Sequence, residues 1–233
     1  DQHKILMVFD EIYSGFGKCG YDFYFNKYGV KPDIITLSKS LGGGKSSISA
    51  YVTTKDVFVK SYGSLAGSLL HSTTYNSLAE ECATVIETTN LLNDKKLTKN
   101  LSELEILIKK KLNNLKSKYP EIISEVRGAG CHHGIIFKKK FNSLKKIIKL
   151  IPIKFIQDPL FLDKIVVTSI MEEYFSKKNI ITSFTSNMDV ILNISPTINS
   201  DKKIVEKKID DLEDIIKSGL EKLVLKFVRK NLI

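Results

Sequence analysis

Two short apolar runs, each ending abruptly in a side chain capable of chemistry, constrain this sequence more than any other feature. Ile5 to Phe9 reads Ile-Leu-Met-Val-Phe and stops at Asp10-Glu11. Asp33 to Leu37 reads Asp-Ile-Ile-Thr-Leu, is introduced by Pro32, and is followed at once by Ser38-Lys39. Short apolar runs bounded by turn residues are the pattern of buried strands. Gly15, Gly17 and Gly20 mark a loop after the first run, and Gly42-Gly43-Gly44 a turn after the second. Ile48 to Thr53 reads as a third strand. In an open α/β sheet, ligands gather beyond the carboxyl ends of the strands. Asp10 and Lys39 are therefore expected to face one crevice.

The rest of the chain changes texture. Gly63 to Tyr75 is rich in Gly, Ser and Thr and is expected to be a loop, and Leu78 to Leu92 has helical character. Leu97, Leu101, Leu104, Ile108, Leu112 and Leu115 recur at helical spacing with lysines on the other face, and Tyr119-Pro120 closes that helix. From Ile122 onward short strands (135–137, 180–183, 190–194) alternate with helices around 170–178 and 203–223. The expected organisation is a large α/β domain over residues 1–120 and a smaller α+β domain over 121–233. The basic, proline-interrupted stretch 138–164 reads as a surface insertion, because two prolines close together break a long amphipathic helix.

Composition narrows the function. The net charge is +10, but only two of the 36 basic residues are arginines, Arg127 and Arg229. Nucleic-acid surfaces cluster their charge and use arginine for phosphate forks, so a solvated lysine-rich surface with no nucleic-acid partner is expected. No apolar run approaches the roughly 18–20 residues of a membrane helix, and no membrane partner is expected. Cys19, Cys82 and Cys131 lie far apart, match no metal spacing, and read as reduced thiols of a cytoplasmic protein. Adjacent His132 and His133 point to opposite faces of a strand and do not share a metal. Gly44-Lys45-Ser46 imitates a phosphate-binding loop, but the first glycine that loop needs is absent.

One acid and one lysine at neighbouring strand ends suit pyridoxal 5'-phosphate. The lysine amine forms a Schiff base with the cofactor aldehyde, and the acid keeps the pyridine nitrogen protonated so that the ring absorbs electrons. Four segments carry a specific resemblance. Phe9 to Gly20 resembles the D-E-[VI]-Q-T-G-x-G-R-T-G segment of class III aminotransferases. Lys31 to Gly44 resembles their P-D-I-x-x-x-x-K-x-L-G-G-G segment, His71 to Tyr75 their H-x-x-T-[FY] loop, and Arg127 to Gly130 the R-G-x-G opening their small domain. The family includes acetylornithine, ornithine, 4-aminobutyrate and putrescine aminotransferases.

The resemblance implies the fold type I architecture of pyridoxal-phosphate-dependent transferases. Here that means the C-terminal part of the large α/β domain followed by the small α+β domain. By the same match Lys39 holds the cofactor and shuttles the proton, Asp10 pairs with the pyridine nitrogen, and Ile12 packs on the ring. Tyr13 lies near the phenolic oxygen, and Thr74 binds the phosphate of the neighbouring subunit in a homodimer. The implied reaction is ping-pong transfer from an amine or amino acid donor to a keto acid or aldehyde acceptor. Tyr13 stands where the family usually has Gln. Asn193 replaces the Arg that binds a substrate carboxylate in many members, which removes a bidentate contact. The family also has a long region before the Asp-Glu strand, whereas nine residues precede Asp10 here and the first is not Met. A piece of a longer protein is expected, weak or inactive alone. Two further readings stay open: another fold type I chemistry, such as an aminomutase or decarboxylase, and a non-catalytic dimerisation remnant.

Overall fold

The computed structural model describes residues 3, 5–138 and 158–231. Most of the basic 138–164 stretch lies outside the described residues. The chain forms two compact units, Asp1–Ser102 and Glu103–Ile233.

The first unit is built on a three-stranded sheet of order β1-β2-β3, with β1 Val8–Asp10, β2 Ile34–Leu37 and β3 Ala50–Thr53. β1 and β2 are parallel, pairing Val8 with Ile34 and Asp10 with Thr36. β2 and β3 are antiparallel, pairing Leu37 with Ala50. The first apolar run is not a buried strand. Ile5 is 79% exposed and Val8 55%, because β1 is the edge strand of the described sheet.

The crossover between the parallel strands is a loop with one short 3-10 turn, Tyr24–Tyr28, where a helix is the usual solution. Aromatic packing takes the helix's place. Phe16 and Phe23 meet edge to face at 5.4 Å, Phe23 stacks on Phe25 at 5.8 Å, and Phe25 meets Phe9 of β1 at 5.9 Å. Phe16, Leu37 and Leu41 form the buried core of this unit, flanked by Ile35, Ile48, Val85 and Leu92.

Two helices complete the unit. The sequence reading missed α1 (Lys55–Tyr62), whose N-terminus is capped by the Thr54 hydroxyl accepting from Val57 N. α2 spans Ala79–Leu91. The triple-glycine turn packs against α2: a Cβ on Gly43 would sit 2.8 Å from Thr88 Oγ1, so this position requires glycine.

Helix α3 (Lys95–Lys118) runs through the division between the units. In the second unit its buried stripe of Leu104, Ile108, Leu112 and Leu115 follows the helical period of the sequence. A four-stranded antiparallel sheet of order β4-β5-β7-β6 follows, with β4 Ile123–Ala129, β5 His132–Phe137, β6 Phe184–Ser186 and β7 Val190–Ile194. Gly134 is forced by the sheet, because a Cβ there would lie 2.4 Å from Ile191 Cγ2. Helix α4 spans Phe161–Lys178, α5 Lys202–Lys217 and α6 Leu220–Asn231. The single helix read over 203–223 is two, broken where Gly219 takes φ 91°. Asp201 starts α5 by accepting from Lys203 N at 2.8 Å and Ile204 N at 3.2 Å. Ile135, Ile170, Leu192, Leu212 and Ile216 make the fully buried centre of this unit.

Candidate functional site

The register of β1 against β2 sets the site. Asp10 pairs with Thr36, so the polypeptide leaves both strands at one level. Glu11 N donates to Thr36 O at 3.0 Å and closes the pair. Tyr13 is the third residue beyond Asp10 and Lys39 the third beyond Thr36. The two side chains meet: Lys39 Nζ lies 4.3 Å from the centroid of the Tyr13 ring. Such a contact at an exposed position is worth about 0.5–1 kcal/mol.

Backbone geometry aims the lysine. Ser38 is extended and its hydroxyl donates to Ile48 O at 3.2 Å. Lys39 then takes φ 49°, the left-handed region that side chains with a Cβ avoid. A short 3-10 turn over Lys39–Gly42 follows. A non-glycine residue in this region costs about 1–3 kcal/mol and persists only where the surroundings demand it; such residues concentrate at functional sites.

The acid side is built by two carboxylates with different tasks. Asp10 is exposed at the strand end, and its Oδ1 accepts the N–H of Ile12 at 3.0 Å. Glu11 is only 2% exposed. It accepts the Phe25 N–H at 2.8 Å and the Ser14 hydroxyl, while its own carbonyl accepts Gly15 N at 3.0 Å. Glu11 therefore ties the start of the crossover loop, which carries Tyr13, to Phe25 in the loop's second half. Sequence reasoning treated Glu11 as the second letter of a motif and missed this role. The available signal was an acid placed directly after a strand, where the main-chain N–H groups of a glycine-rich loop need an acceptor.

The structure thus brings Asp10, Ile12, Tyr13 and Lys39 together within the first unit. Thr74 lies in the largely exposed segment 63–78, and among the described residues no hydrogen bond joins it to them. Its neighbour His71 packs its ring on Tyr51 at 5.3 Å. In the second unit Asn193 Nδ2 donates to Ser183 Oγ at 3.1 Å beside a cavity of about 420 Å³ walled by Ile180, Ile194 and Ile204. His132 and His133 stand on opposite faces of β5. His133 is buried, with Nε2 3.1 Å from Gly130 O, and burial pushes its imidazole below the ordinary range despite that bond. Among the described residues no helix is long and apolar enough to cross a membrane.

The family model of the class-III aminotransferases matches residues 1–192. The chain belongs to that family. Among class-III relatives, it is 33% identical over 161 residues to the acetylornithine/succinyldiaminopimelate aminotransferase of Buchnera aphidicola, covering 69% of this chain and 37% of that protein. It is 37% identical over 143 residues to the putrescine aminotransferase of Pectobacterium atrosepticum, covering 60% of this chain and 29% of that one. The fold matches that of Plasmodium falciparum ornithine delta-aminotransferase with a TM-score of 0.71 at 26% identity, over 94% of this chain and 48% of the other. A transaminase from the marine bacterium Virgibacillus matches with a TM-score of 0.76 at 20% identity, over 95% of this chain and 47% of the other. The architecture is therefore fold type I. This class-III chain spans well under half the length of the curated relatives it matches.

Proposed function

We propose that this chain carries the lysine-bearing part of a pyridoxal 5'-phosphate-dependent aminotransferase, with Lys39 as the residue that holds the cofactor. The observation that carries the reading is the placement of Asp10 and Lys39 at the carboxyl ends of adjacent parallel strands, with the exposed Lys39 held in a strained backbone conformation. The groups present fit the cofactor by their chemistry. They are an exposed primary amine, an exposed carboxylate with one oxygen held by a backbone N–H, a part-buried aliphatic side chain at Ile12, and a phenol at Tyr13.

When bound, the cofactor supplies a conjugated electron sink for bonds broken at the substrate carbon. The chain's own residues do the rest. Lys39 Nζ tethers the cofactor and, once released, carries a proton to and from the substrate carbon. Asp10 keeps a proton on the ring nitrogen, and the Ile12 N–H bond to its Oδ1 holds that carboxylate in orientation. Ile12 would pack against a face of the bound ring, and the Tyr13 hydroxyl would hydrogen-bond near its phenolic oxygen. The reaction is a ping-pong exchange: an amine or amino acid gives its amino group, and a keto acid or aldehyde takes it.

Residues 1–120 belong to the large domain in this reading and 121–233 to the small one. Thr74 serves the phosphate of a neighbouring subunit in a homodimer. In support, the segment around Thr74 exposes Leu65 (95%) and Tyr75 (80%), apolar surface that an interface would cover. A reducing compartment, the cytoplasm, suits three cysteines that form no disulfide among the described residues.

The test is a cofactor trap. The protein is incubated with pyridoxal phosphate, reduced with borohydride, digested and mapped by mass spectrometry. Label concentrated on Lys39 is expected. Label scattered over surface lysines, both in this chain and in the protein extended upstream, overturns the reading.

A further inference from the structure

The Tyr13 ring is a feature the amino-transfer reading leaves unused: it gives the phenol a task for its hydroxyl but none for its face. Yet the face is what the lysine touches. We propose that Tyr13 is a positioning residue for Lys39, a non-covalent berth whose ring face holds the lysine ammonium at the strand ends whenever the lysine carries no cofactor. This inference rests on the assignment of Lys39 as the cofactor lysine.

Three observations converge on it. Tyr13 and Lys39 are each the third residue past a paired position of β1 and β2, so strand register alone delivers both to one level. The Tyr13 loop is pinned on either side of the ring. Ile12 N bonds to Asp10 Oδ1 at 3.0 Å, and the Ser14 hydroxyl and Phe25 N–H both bond to the buried Glu11 carboxylate. The ring is thus presented from a fixed base although it is 59% exposed. Lys39 leaves β2 through a left-handed turn at φ 49°, and its Nζ comes to 4.3 Å from the ring centroid. A long, flexible ammonium would otherwise spread over many rotamers in water, and ordering such a side chain costs free energy. A cation over an aromatic face offsets part of that cost and favours one direction. The berth keeps the amine where a cofactor aldehyde would arrive, and it gives the lysine a defined place after each release. The hydroxyl is dispensable for this task; the ring is required.

The test first reads Lys39 without any cofactor. The chain is labelled briefly with the acetylating reagent N-hydroxysuccinimidyl acetate, and modification of Lys39 relative to Lys45 and Lys55 is quantified by mass spectrometry. Tyr13→Ala and Tyr13→Gln are expected to raise relative labelling of Lys39 about two- to fivefold, the change that follows from losing one exposed cation–π contact. Tyr13→Phe is expected to stay near the parent value. In parallel, borohydride-trapped pyridoxal phosphate is mapped over the lysines of each version. Lys39 labelling that does not respond to Tyr13→Ala, or that rises equally in Tyr13→Phe, overturns the berth, whatever the trap shows. If Lys39 labelling responds as expected but pyridoxal phosphate scatters over the lysines of every version, the contact is real and the cofactor assignment is what fails.

Discussion

Replacing Lys39 by glycine should leave the protein more stable than replacing it by alanine, the reverse of the usual order. Both substitutions remove the amine and the contact with the Tyr13 ring, which costs each of them about 0.5–1 kcal/mol. They differ in what they do to the backbone. At φ 49° alanine keeps the clash of its Cβ with the following carbonyl, worth about 1–2 kcal/mol, and glycine relieves it. Glycine in turn gives back about 0.5–1 kcal/mol through the greater freedom of its unfolded chain. The balance favours Lys39→Gly over Lys39→Ala by about 0.5–1 kcal/mol. With a urea slope of about 2–3 kcal/mol per molar, the midpoint of Lys39→Gly should lie about 0.2–0.5 M above that of Lys39→Ala. Lys45 is the internal control. It is an exposed lysine a few residues on, with no positive φ, and there alanine should equal or exceed glycine. Both Lys39 variants should lose specific capture of pyridoxal phosphate. If Lys39→Ala matched or outlasted Lys39→Gly, the claim that a strained backbone aims this lysine would be wrong.

Glu11→Ala should destabilise the first unit by about 1–3 kcal/mol, because the Phe25 N–H loses its buried acceptor and the Ser14 hydroxyl its partner; hydrogen exchange at Phe25 should quicken, and unchanged exchange would argue against the clamp. Leu212 is fully buried, so Leu212→Ala should cost about 2–5 kcal/mol, read as a shift in the urea midpoint. His133 is held below its ordinary pKa of 6.5 by burial, so the unfolded chain takes up its proton at higher pH than the folded one. The stability this residue contributes is complete above 6.5 and declines as pH falls through the folded value. His133→Gln should flatten that part of the urea midpoint against pH, and an unaltered slope would place the proton uptake elsewhere.

The elements legible in the sequence are those whose period or punctuation is local. The α3 stripe from Leu104 to Leu115 was visible because each apolar residue recurs at the helical spacing that the folded helix buries. Asp10 and Lys39 were visible because each follows an apolar run. What escaped depended on partners far along the chain. β1 was read as buried because its residues are large and apolar, yet burial is decided by neighbours on both sides of a strand, and β1 has one among the described residues. β6 was placed a few residues early, at 180–183, because its three residues Phe184–Ser186 are too short for a period to show. The role of Glu11 depends on Phe25 reaching back across the loop, and the meeting of Tyr13 with Lys39 depends on strand register; no window of sequence contains either.

The helix-free crossover between β1 and β2 also bears on the order in which the chain assembles. The β4–β5 hairpin closes through the two residues Gly130-Cys131, a short-range event. Pairing Val8 with Ile34 instead requires closing a long loop whose local structure is turns and one short 3-10 segment, tied together by aromatic rings and a buried carboxylate. Loop-closure entropy must be met before such contacts form. Asp10 and Lys39 should therefore come into register late in folding. A group that engaged both strand ends would then act as a folding ligand, drawing the slowest piece of the first unit to completion. Pulsed hydrogen exchange during refolding would show this directly: amides of β5 should be protected before those of β2, and adding pyridoxal phosphate should shorten the interval.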